Sequence, residues 1–203
     1  MDTTRVTASD VKNGEYVGGV LIVDGHIEIE ANLGWVRFKR LKAEGRIYSH
    51  AGTGISAGWD IRAGWGIRAG WGISAGEGIS AGESITAGGG ISAGEGIRAG
   101  ASITADWDIR AGWGIRAGTG ISAGGDIRAG ESITAGESIR AGEGIYAKGV
   151  LSFTKRLFAG ISVDYDRDDC DKVVECSKIE GGGEIVHGDL ITDDEDDAGC
   201  SKL

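Results

Sequence analysis

A parallel β-solenoid is the fold class this sequence predicts, on three observations. Isoleucine recurs every six residues from Ile55 to Ile145 without a slip, sixteen times in all. The residues around it follow one unit, I-[SRT]-A-G-[WEGT]-[GSD]. Glycine makes up 39 of 203 residues while proline is absent, so the glycine is periodic without a collagen triplet.

Each position of the unit has a physical reading. Side chains alternate along an extended segment, so Ile and the Ala two places later share one face and the Ser, Arg or Thr between them points the other way. Glycine at the fourth position is expected to supply a positive φ for a bend, with the fifth residue on its outside. A repeat of six does not fit a helix of 3.6 residues per turn. A strand so short cannot bury its Ile alone, so the units must stack coil on coil at about 4.8 Å.

On these hexads the sequence resembles the hexapeptide-repeat family, which implies a left-handed parallel β-helix with three hexads per triangular coil. The resemblance spans Ile55 to about Lys148, with the departure that Ile precedes the small residue here. Sixteen hexads allow about five three-sided coils or eight two-sided ones. Trp59 to Gly100 and Trp107 to Lys148 match at 33 of 42 positions, a tandem duplication of eight hexads. In a triangular prism that copy rotates onto a different face.

The organisation expected is an N-terminal set of strands and cap over residues 1–52, regular coils over 53–148, a closing coil and cap over 149–163, and an acidic segment over 164–203. "HIEIE" and "WVRFKRL" alternate apolar and polar residues, as strands leading into the first coil do. Leu151 and Leu157 keep the sixfold step while Phe153 and Phe158 enlarge the core to close the stack. Beyond them "KVVECSKI" and "EIVHGDLI", joined by "EGGGE", read as a hairpin bracketed by acidic clusters.

Charge is divided sharply along the chain. Residues 161–203 carry 14 Asp and Glu against 4 Lys and Arg, a net −10, so residues 1–160 are neutral overall. With no run of about 18 apolar residues and no signal-like N-terminus, the expected compartment is the cytoplasm. The terminal Ser201-Lys202-Leu203 is read as a chance match to a peroxisomal address.

Little in the sequence points to catalysis. The resemblance implies an acyltransferase histidine, yet none of His26, His50 and His187 lies in the hexads, and His50 has no evident acid partner. A capping role is expected for it, and no enzyme activity. Cys170, Cys176, His187 and Cys200 offer zinc-ligand types at spacings unlike a zinc knuckle, so surface thiols are expected and neither metal nor cofactor. Thr86, Thr104 and Thr134 are too few for an ice-binding array.

Two surfaces remain for recognition. Asp164, Asp166, Asp168, Asp169, Asp171, Asp193, Asp194, Glu195, Asp196 and Asp197 are expected to dock on a basic, nucleic-acid-binding surface of a protein partner. A small acidic inhibitor of this kind fits a phage or mobile-element product that blocks a nucleic-acid-guided nuclease, in the manner of an anti-CRISPR protein. A secondary surface consists of Trp59, Trp65, Trp71, Trp107 and Trp113 with Arg62, Arg98 and Arg116. Direct nucleic-acid binding is not expected, because Glu residues interrupt the same bends. The alternatives are a self-associating scaffold, and a glycan-binding module or a relative of the hexapeptide acyltransferases.

Overall fold

In the computed structural model, which describes residues 1–160 and 173–192, the chain winds into three parallel sheets of 9, 10 and 11 strands. Ile61 pairs with Ile79 and Ala63 with Ala81, and the coils that follow repeat this step of 18 residues as far as Leu157. Three hexads therefore make one turn, and the coil is three-sided. The first face holds strands such as Ile73–Ala75 and Ile91–Ala93, the second Ile79–Ala81 and Ile97–Ala99, the third Ile67–Ala69 and Ile85–Ala87.

The core is a column of identical side chains. From Ile55 to Ile145 every isoleucine is at most 1% exposed, and Ile stacks on Ile and Ala on Ala throughout. Burying an isoleucine contributes about 1.5–3 kcal/mol, so the column supplies most of the driving force. The corners are hydrogen-bonded as well: Gly76 N–H reaches Ala57 O, and Ile79 N–H reaches Gly96 O, with the same pattern in each coil.

The fourth-position glycine has a different cause from the one its sequence suggests. None of these hexad glycines has a positive φ. A Cβ on Gly82 would instead lie 1.9 Å from Gly64 O, and one on Gly94 2.0 Å from Gly76 O. Close approach of successive corners, not backbone handedness, favours glycine, which gives way at the fourth position only to Asp106 and Lys148.

The N-terminal strands already belong to the stack. Leu21, Leu41 and Ile61 are consecutive partners, as are Ile27, Ile47 and Ile67, in longer coils of irregular corners. Phe38 occupies the position of Ala57 in the next coil and Tyr16 packs on it at 5.1 Å, beside the short hairpin of Val11–Lys12 and Glu15–Tyr16.

The C-terminal part departs from the expected cap and hairpin. Val173–Glu175, Lys178–Glu180, Glu184–His187 and Asp189–Ile191 pair in parallel with the preceding strands, so they form another coil. Phe153 is fully buried beneath it, with Gly181 and Gly183 of "EGGGE" against Phe153 where a Cβ would collide. Phe158 faces outward, where Arg140 lies 5.2 Å from its ring. Alternating side chains look alike in a hairpin and in a solenoid; only the pairing partner differs. Among the described residues no helix is long and apolar enough to cross a membrane.

Candidate functional site

Hydrogen bonds along the corners sort the tryptophans. Trp59, Glu77, Glu95, Trp113 and Glu131 climb the corner between the first and second faces; Trp65, Glu83, Ala101, Thr119 and Glu137 the next; Trp71, Gly89, Trp107, Gly125 and Glu143 the third. The duplication has rotated its copies, as a triangular coil requires: Trp59 and its copy Trp107 stand on different corners. Arg62, Arg98 and Arg116 project together from the second face, next to Ser80.

Two of the five indoles are already engaged by the coil below. The Arg40 guanidinium lies 5.0 Å from the Trp59 ring, and Arg46 lies 5.8 Å from Trp65, which also meets the His26 ring at 5.2 Å. Among the described residues no ring or guanidinium contact is made by Trp71, Trp107 or Trp113. Trp107 is 70% exposed, the most open of the set.

Trp71 and Trp107 bound the same groove, about 610 Å³ in volume, on the third corner. Between them lie Gly88, Gly89 and Gly90, the one hexad in which both corner positions after the fourth glycine are also glycine. Trp35 closes the lower end; its indole lies across Gly54 and Gly72, where an added Cβ would meet it at 2.8–2.9 Å. Ser74, Ser92, Asp108 and Arg110 supply the polar rim. Trp35 was not singled out in the sequence, because it stands outside the hexads; the triple glycine was the legible signal.

The aspartates beside this groove have a structural task. Asp108 Oδ1 accepts the N–H of Asp126 at 2.9 Å, and Asp126 Oδ1 accepts the N–H of Gly144 at 2.9 Å. Their other oxygens pair with Arg110 and Arg128, each at 2.7 Å. Asp60 likewise pairs with Arg62 at 3.2 Å. The triplets that begin at Asp108 and Asp126 thus cap the next coil, and all three "DIR" triplets fix an outward arginine. Asp108, Asp126 and Glu143 bring one carboxylate oxygen each to within 4.8 Å of the others, but the two aspartates are spent on these bonds.

His50 does have an acid partner. Its Nε2 donates to Glu28 Oε1 at 2.8 Å, Arg5 approaches the other oxygen at 3.2 Å, and the Tyr48 ring meets the imidazole edge-on at 4.6 Å. The hydrogen bond from His50, then that from Arg5, hold the Glu28 carboxyl below the usual carboxylate range. Sequence missed the pair because a coil of irregular length separates the two residues. A groove of about 710 Å³ opens beside it, lined by His26, Glu28, Tyr48 and Trp65. Two of its groups are already engaged: His26 Nδ1 accepts the Arg46 N–H at 3.0 Å, and Glu28 is held by His50 and Arg5.

Cys176 is 1% exposed, so it is a core side chain and not the surface thiol expected, while His187 is exposed. Cys170, Cys200, the terminal tripeptide and all ten acidic residues expected at the partner surface, from Asp164 to Asp197, lie outside the described residues. No family model matches the chain, and no curated protein or solved structure is significantly similar to it.

Proposed function

We propose that the protein is a non-catalytic binding module whose coils form a rigid frame and whose third corner carries recognition. One observation carries this reading: Trp71 and Trp107, 47% and 70% exposed, flank a glycine-floored groove and make no ring or guanidinium contact among the described residues. Exposed indoles on a frame with its backbone bonds already made lose little entropy on binding. A ligand-affinity measurement tests it. Full-length protein should lose its ligand when Trp71 and Trp107 are replaced by alanine, and retention would overturn the reading.

A second reading rests on charge. The net −10 of residues 161–203, against a neutral remainder, favours an inhibitor that docks on a basic nucleic-acid-binding surface, as a phage-encoded anti-CRISPR protein would. Neutralising Asp193, Asp194, Glu195, Asp196 and Asp197 to Asn and Gln in the full chain separates the two. Loss of a partner with these substitutions or with added salt supports the acidic surface; loss only with the tryptophans supports the coils.

A further inference from the structure

We propose that the groove between Trp71 and Trp107 binds a neutral oligosaccharide, an assignment that rests on coil recognition and names its ligand class. Successive corners are about 4.8 Å apart, so the two backbones stand two coils, or about 9.6 Å, apart. A ring held in van der Waals contact on both sides needs about 7–8 Å. Gly89 has no side chain to occupy that gap, whereas Glu77 and Glu95 stand between Trp59 and Trp113 at the first corner.

The rim selects the chemistry. Ser74 and Ser92 present hydroxyls, and Asp108 and Arg110 sit at one end as a pair with no net charge. Among the described residues Arg110 is the only cation lining the groove, and Asp108 already engages it. A phosphate backbone would need unpaired cations. A peptide strand would need an open sheet edge, and the strands here are paired on both sides within the stack. Apolar ring faces bordered by hydroxyls, as in a sugar chain, match indoles over a glycine floor with a few polar groups around it. From Trp35 to Asp108 the groove climbs four coils, about 19 Å, so it has room for more than one sugar ring.

The test titrates full-length protein with cellohexaose, xylohexaose, chitohexaose and maltohexaose, following tryptophan fluorescence and heat. At least one should bind, and Trp71→Ala and Trp107→Ala should each weaken it about tenfold or more, as truncating an aromatic anchor does. Trp113→Ala, on another corner, should leave the affinity unchanged and shows that surface tryptophans can be removed without unfolding. Silence with all four sugars, or equal losses in all three variants, overturns the proposal. If the groove variants instead release a phosphorylated or polypeptide ligand, the sugar assignment falls while coil recognition stands. If a ligand survives both variants, coil recognition falls with it.

Discussion

At the scale of single residues, glycine and histidine show where pattern and cause part company. The sixfold glycine was legible as a corner, but its reason is visible only when coil meets coil. A Cβ on Gly94 would press on Gly76 O, so Gly94→Ala should lower stability by about 1–3 kcal/mol in chemical denaturation, the usual cost of forcing atoms into a filled space. An unchanged midpoint would mean the corners are looser than they look. Glu28 offers a pH measurement. Its carboxyl is held below its ordinary 4.5, so the contribution to stability is present above that value and is lost as pH falls through the lower, folded one. Removing His50 takes away the larger cause. His50→Ala should move the Glu28 midpoint, read from its carboxyl carbon by NMR, up toward the ordinary value; no movement would exclude the pair.

At the scale of elements, the strands and their stacking were legible from Ile, Ala and spacing alone, because both depend on side-chain period. What was hidden depends on partners many residues away. The "DIR" triplets looked like ordinary corner variation, yet Asp108 and Asp126 each serve an N–H one coil on. Asp126, with its side chain 10% exposed, bonds both Gly144 N–H and Arg128. Asp126→Ala should cost about 1–3 kcal/mol, the penalty for a buried donor left without a partner, and Asp126→Asn should recover part of it. Equal stability of both variants with the parent would show the cap to be dispensable. The C-terminal strands were legible as strands and misread as a hairpin, since "EGGGE" suits a tight turn and a solenoid corner alike.

At the scale of the whole molecule, the coil is a unit that can be removed. Every hexad buries the same Ile and Ala, so deleting residues 77–94, one turn, joins Gly76 to Glu95 and restores every register downstream. It also removes Gly88, Gly89 and Gly90 and brings Trp71 directly beneath Trp107. Deleting residues 119–136, also one turn, leaves the groove whole. The candidate site was only half legible in the sequence for the same reason: six-residue periodicity shows which residues are outward, and the length of a turn decides which of them meet. Titration of these two shortened chains with whichever of the four hexasaccharides binds the parent most tightly is the most direct test of recognition by the third corner. Both chains should melt cooperatively, with binding lost in the first and retained in the second; binding that survives loss of the glycine coil would contradict it.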